Sequence, residues 1–295
     1  MKRIRTKIKT VDAIFCSDIH LRETLPPCRT DDFMSVQWRK MKWLQELQQK
    51  YNCPVYHAGD LFDHWKPSPF LLSLAMLHLP AQFHTIYGNH DLKEHNYDLI
   101  EKTGIHTLET AGKLTVCSGT PWGYIPDENN DFIEIKGRKV LLWHVMTYKG
   151  AKPYPGCTDT AAAGLLRKYR SYDIIVTGHN HQSFVDDYNG RLIVNPGCLT
   201  RQESDNAEFV PKVYLYHALD NTLTPVTVPH EKGVVVQPIK TQAIEERNER
   251  IEAFITKLNT DWDTTVDFEK NLHRFLSVNP IDTEIEKIIM KAINE

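Results

Sequence analysis

Three short apolar runs, "VDAIFCS" (11–17), "PVYHAG" (54–59) and "QFHTIYG" (82–88), alternate with two stretches of helical pattern, and that order constrains the fold more than any other feature. Over 36–50, Val36, Trp43, Leu44 and Leu47 recur at i, i+7, i+8 and i+11, one face of a helix. Over 68–79, Ser68 offers an N-cap and Pro69 suits the first helical position. A β-α-β-α-β order implies right-handed crossovers and parallel strands.

The middle of the chain changes character. "KLTVCSG" (113–119), "DFIEIKG" (131–137) and "KVLLWHV" (139–145) read as strands close in sequence, with a hairpin over 132–145. A helix is expected at about 159–170, then strands at 173–178, 191–197 and 212–218. Together these predict a second, more antiparallel sheet. The expected class is α/β, a two-sheet β-sandwich flanked by helices, over a first domain at 1–239. A helical C-terminal segment follows at 240–295, with apolar stripes Ile244, Ile251, Ile255, Leu258 and Ile281, Ile285, Ile288, Ile289, Ala292. Over 241–295 there are 7 Lys/Arg against 12 Asp/Glu, net −5. That acidic appendage reads equally as packing on the core or as a docking surface for a partner.

Forty-one per cent apolar residues in 295 is ample for a core, and a net charge of −3 argues against a generally basic nucleic-acid coat. A local positive site stays open, because bound metal adds charge that a residue count misses. Cys16, Cys28, Cys53, Cys117, Cys157 and Cys198 are scattered without a C-x-x-C pair, which favours reduced thiols over disulfides or a zinc ribbon. "MKRIRTKIKT" is basic but lacks the apolar region of a signal peptide, and no stretch reaches bilayer-spanning length. A cytoplasmic protein without membrane contact is the simplest expectation.

The polar residues fall where the strands stop. "CSDIHLR" places Asp18 and His20 after the first strand, "HAGDLFDHW" places Asp60 and Asp63 after the second, and "YGNHDLKE" places Asn89, His90 and Asp91 after the third. "VLLWHVM" delivers His144, and "IIVTGHNHQ" delivers His179 and His181. Singly, each has a bland reading. N-H-D makes a turn in which Gly88 and Asn89 accept positive φ, and most of fourteen histidines need no function; His57, His78, His84 and His106 read as structural. Jointly and in order, they mark one sheet edge, where sites of open α/β sheets form. Two carboxylates, one amide oxygen and four imidazoles suffice for two cations when one carboxylate bridges. Such mixed donors suit Mn²⁺, Fe or Zn²⁺ better than Mg²⁺ or Ca²⁺ alone, and the lack of Cys argues against structural zinc. Two metals roughly 3.5–4 Å apart form a clamp for a phosphate ester.

The series "SDIH", "GDLFD", "GNHD", "WHV" and "GHNH" resembles the calcineurin-like metallophosphoesterases over roughly residues 11–200. The resemblance implies a metallophosphoesterase catalytic domain over 1–239. It implies that Asp18, His20 and His181 hold one metal, that Asn89, His144 and His179 hold the other, and that Asp60 bridges. His90 would donate a proton toward the leaving oxygen or stabilise the developing charge, with Asp91 fixing its ring, Gly88 allowing the turn and Asp63 supporting the loop.

"GDLFDHWKPS" and "VNPGCLTRQE" look like segments of the SbcD-type DNA repair nucleases, which implies DNA as substrate and an SbcC-type ATPase partner docking through the terminal helices. Trp65, Lys66 and Lys149 would then meet a base face or backbone phosphate. Two departures stand against this. Asp63 occupies a place where many such relatives carry His, and the stretch after the presumed core is short and acidic for a DNA-capping domain. The alternatives are a phosphomonoesterase acting on a phosphoprotein or small nucleotide, and a scaffold that has lost catalysis. Such scaffolds lack His90 or several ligands, all of which this chain keeps.

Overall fold

The computed structural model describes residues 10–153 and 156–236. The helical segment expected at 240–295 lies outside them. The strands are β1 (Ala13–Cys16), β2 (Val55–His57), β3 (Phe83–Thr85), β4 (Thr115–Val116), β5 (Ile133–Ile135), β6 (Arg138–His144), β7 (Ile174–Gly178), β8 (Phe184–Tyr188), β9 (Arg191–Asn195), β10 (Lys212–His217) and β11 (Thr222–Thr227). The α-helices are α1 (Phe33–Tyr51), α2 (Pro69–His78), α3 (Gly104–Thr110) and α4 (Ala162–Lys168).

One sheet runs β11-β10-β1-β2-β3-β4 and the other β5-β6-β7-β9-β8. β1, β2, β3 and β4 pair in parallel, as the alternating order requires. The second sheet is less antiparallel than expected: β6-β7 and β7-β9 are parallel, and only its flanks β5 and β8 run antiparallel. β4 and β10, expected there, belong to the first sheet. β10 returns antiparallel onto β1, a pairing across some two hundred residues that no local pattern announces. The hairpin expected at 132–145 is present, turning through Lys136 (φ 51) and Gly137 (φ 80), the left-handed pair of a two-residue turn.

Alternation within the strands builds three apolar layers. Ala13, Phe15, Val140, Leu142, Ile174, Val176, Tyr214 and Tyr216 meet between the sheets. Their sequence neighbours Ile14, Cys16, Val213 and Leu215 face outward onto Met41, Leu44 and Leu47 of α1 and Leu71 and Ala75 of α2. On the far side Leu141, Trp143, Ile175 and Ile193 take Leu165 and Leu166 of α4. Strands buried on both faces read as continuous apolar runs, which is why these were legible. β8 ("FVDDY") and β11 ("TLTPVT") were not expected: both are polar edge strands, and Pro225 is tolerated in β11 only because it lies at an edge.

Local chemistry sets the helix ends. Asp32 caps α1 by accepting from the Ser35 amide at 3.1 Å, and Asn52 closes it in a left-handed conformation (φ 48, ψ 50). Ser68 caps α2 as the sequence implied, accepting from the Leu71 amide. Truncation of Leu44, fully buried on α1, to Ala is expected to cost about 3 kcal/mol in urea unfolding.

Candidate metal centre

All five expected strand ends converge on one edge. Asp18 and His20 follow β1, Asp60 and Asp63 follow β2, and Asn89 and His90 follow β3; His144 ends β6 and His179 follows β7. The backbone there is strained: Asp18 (φ 49), His20 (φ 49), Asp60 (φ 60) and His179 (φ 79) are non-glycine residues in the left-handed region. Each costs on the order of 1 kcal/mol, and such strain concentrates at functional sites.

The donors form compact groups. Asp18, His20 and His181 offer one donor atom each within 4.8 Å of one another, as do Asp60, His144 and His179. Asp60 faces both groups, with Oδ2 at 3.6 Å from His20 Nε2 and 3.3 Å from His144 Nε2. Asn89 Oδ1 stands 3.1 Å from His144 Nε2 and 2.9 Å from His179 Nδ1. His20 Nε2 and His181 Nε2 lie only 3.1 Å apart. His20, Asp63 and His90 make a third, shallower group, with the rings of His20 and His90 edge to face at 4.7 Å.

Outer partners aim the rings. His144 Nδ1 contacts the Ala58 carbonyl at 2.7 Å and His181 Nδ1 the Glu203 carboxylate at 3.1 Å. A carbonyl and a carboxylate accept, so in each ring Nδ1 carries the hydrogen and Nε2 is left toward the centre. Trp122 stacks on His179, centroids 4.3 Å apart. Glu203 closes the "VNPGCLTRQE" segment without having been read as a site residue, and Trp122 belongs to no strand-end motif.

Asp91 corrects an expectation. Its buried carboxylate accepts from the amides of Asp60 (2.8 Å), Leu61 (3.2 Å), Phe62 (3.1 Å) and Gly88 (3.0 Å), so it ties the loop after β2 to the loop after β3. The His90 ring is held instead by the Asp63 carbonyl, 2.9 Å from Nδ1. Gly88 also has a different reason from the one expected. It does not adopt a left-handed φ; a Cβ there would stand 2.1 Å from Asp60 Oδ1 and 2.4 Å from the Asp60 amide nitrogen. Gly178 likewise leaves room for His144, whose Nδ1 would sit 2.7 Å from an added Cβ.

Burial and charge set the protonation. Burial alone would raise the Asp60 carboxyl, but the charge of His144 beside it holds it well below the usual carboxylate range. Burial opposes the charged form of His144 as well, yet Asp60 wins and pushes it up to about 9. Asp18 is raised by burial. Burial lowers His20 well below its ordinary value and brings His179 down to about 4, helped by His144. Burial and Asp60 push Asp91 up to about 7 against its amide donors. Asp18 Oδ2 is buried and has no hydrogen-bond partner among the described residues. An orphaned carboxylate oxygen amid imidazole nitrogens aimed inward fits divalent cations.

The match to the calcineurin-like phosphoesterase superfamily domain spans residues 12–216, so the chain belongs to that superfamily. A probable metallophosphoesterase from Methanocaldococcus jannaschii is 29% identical over 122 residues, 41% of this chain. The chain spans 60% of the length of that curated relative. A solved archaeal phosphodiesterase aligns at 15% identity over 73% of this chain and 99% of its own, TM-score 0.44. The zinc complex of Vps29 from Entamoeba histolytica aligns at 16% identity over 73% and 97%, TM-score 0.36.

Gly88→Ala is expected to displace Asp60 and lower stability by about 1–3 kcal/mol, measured by urea unfolding. Glu203→Ala, which releases the His181 ring, is expected to weaken divalent-cation affinity by about 10–100-fold with the fold retained, measured by calorimetric titration.

Proposed function

We propose that the chain is a binuclear metal-dependent phosphodiesterase that hydrolyses DNA. The observation that carries the reading is the single Asp60 carboxylate facing both donor groups, with His90 exposed at their rim. In this reading Asp18, His20 and His181 would hold one ion, Asn89, His144 and His179 would hold the other, and Asp60 would serve both. Mn²⁺ suits the mixed oxygen and imidazole donors, with Fe or Zn²⁺ as alternatives. Two divalent ions held there would supply an activated water and charge stabilisation for a phosphate ester. The relative from Methanocaldococcus jannaschii, described as a metallophosphoesterase, supports the hydrolase class.

His90 handles the proton. The Asp63 carbonyl only accepts, so Nδ1 carries a hydrogen and Nε2 is the nitrogen left for substrate. As imidazolium, Nε2 donates to the leaving oxygen. Asp91 acts one step back: by clamping four amides it sets where Asp60 and His90 stand.

DNA is favoured by what flanks His90. His64, Trp65 and Lys66 directly follow the residue that holds its ring, and Lys93 lies over the Trp65 ring, 5.7 Å from its centroid. An aromatic face beside ammonium groups suits a base and its phosphate. Lys93 is also paired, with Glu94 at 3.2 Å, and Lys149 with Asp186 at 3.2 Å, so both contribute less than free ammonium groups. Within this reading, 240–295 is the docking segment for an SbcC-type ATPase; a pull-down that survives its deletion overturns that part. No helix among the described residues is long and apolar enough to cross a membrane. A cytoplasmic setting is part of the proposal.

The experiment is a Mn²⁺ reaction on end-labelled single- and double-stranded DNA, beside a phosphomonoester dye. DNA degradation is expected, lowered about 10²–10⁴-fold in His90→Ala with metal content unchanged. Asp60→Asn is expected to lose both ions in metal analysis. Monoester turnover with intact DNA would replace DNA by a monoester substrate, and two ions retained in Asp60→Asn would overturn the ligand assignment.

A further inference from the structure

The motif "NPGCLTR" ends in Arg201, which the metal centre does not use and which is buried, 2% exposed, with a left-handed backbone (φ 54). It lines a cavity of about 280 Å³ together with Arg29, Asp31, Arg39, Lys40 and Glu231. Arg29 is matched there: its Nε and a terminal nitrogen grip the Asp31 carboxylate at 2.8 and 2.5 Å. At the mouth, the exposed Arg39 faces the Glu231 carboxylate at 3.6 Å. Lys40 and Arg201 remain. Lys40 is 3% exposed, on the buried face of α1, and donates 2.6 Å to the Leu199 carbonyl. Arg201 donates to the carbonyls of Ala207 and Glu231, and its Nε is buried with no hydrogen-bond partner among the described residues. Neither cation has a carboxylate in this cavity that is not already engaged.

Two buried cations with only carbonyls to meet them are costly unless a charge of opposite sign joins them. Burial, with Arg201 next, pushes the Lys40 ammonium down to about 7. The cavity has room for several waters, each taking about 30 Å³ in the liquid, and so for a tetrahedral oxyanion. Phosphate oxygens accept from guanidinium and ammonium in the short, charge-assisted bonds that offset such burial.

We propose that this cavity binds a phosphate group, free or as the end of a phosphomonoester, through Lys40 and Arg201, at a site separate from the metal centre. One loop joins the two. Leu199 and Thr200 give their carbonyls to Lys40 and Arg29. On its other side the same loop holds the β1 loop, through the Leu199 amide to the Asp18 carbonyl (3.1 Å) and Gln202 Nε2 to the His20 carbonyl (2.6 Å).

The test is calorimetric titration of the full chain, EDTA-treated so that bound metal contributes no phosphate affinity, with inorganic phosphate and, in a second arm, adenosine 5′-monophosphate. Saturable one-to-one phosphate binding is expected. Lys40→Met is expected to weaken it at least about tenfold, the factor that corresponds to one lost charge-assisted bond. Glu231→Gln, which removes a competing carboxylate at the exposed mouth, is expected to tighten it, a direction that misfolding cannot produce. Binding by both ligands assigns the site to phosphomonoester ends, and binding by phosphate alone assigns it to the free ion. Absence of saturable binding by either ligand overturns the proposal. So does equal affinity in wild type and both variants.

Discussion

The site depends on one carboxylate that touches no candidate ligand side chain. Asp91 accepts from four backbone amides drawn from two loops, the one after β2 and the one after β3. Three of the four amides converge on Oδ2 and the fourth on Oδ1. Together with the His90 amide, which donates to Asp60 Oδ1 at 2.9 Å, Asp91 joins the loops that carry Asp60 and Asn89. With it, Asp60 is carried against His144 and Asn89 is carried within reach of His179. Both loops start from parallel neighbours in the same sheet, which keeps their ends at one height.

Around that clamp the chain accepts several local costs. Four candidate residues sit in left-handed backbone, and Asp18 and Asp60 are buried carboxylates facing a common centre. Glycine is needed at 88 because Asp60 presses against its backbone, not because the chain turns left-handed there. These departures from local preference gather at one edge of the sheets, while the layers beneath follow simple alternation. That division is what a rigid scaffold with a strained functional edge looks like.

A second region repeats the pattern with the opposite charge. On the other side of the loop at 199–202, Lys40 and Arg201 are buried with carbonyls as partners, where the metal centre has carboxylates and imidazoles. The loop therefore stands between the candidate metal centre and a cavity of buried cations. Its amides and carbonyls point to opposite sides, toward Asp18 and toward Lys40.

Much of this was legible in the chain. Strands covered on both faces must be apolar throughout, so β1, β2, β3, β6, β7, β9 and β10 announced themselves, and the polar residues that end them marked the edge. The edge strands β8 and β11 were silent because one side of each needs no apolar partner. The sequence by itself determined which donor types end which strands, since those choices are local. Tertiary structure alone decided that Asp18 meets the His179 amide, 161 positions away, that Asp60 faces two groups rather than one, and that Asp91 clamps loops rather than orienting His90. It also supplied Glu203, Trp122 and the Lys40–Arg201 cavity. Those depend on sheet order and crossover geometry, which bring together residues far apart along the chain.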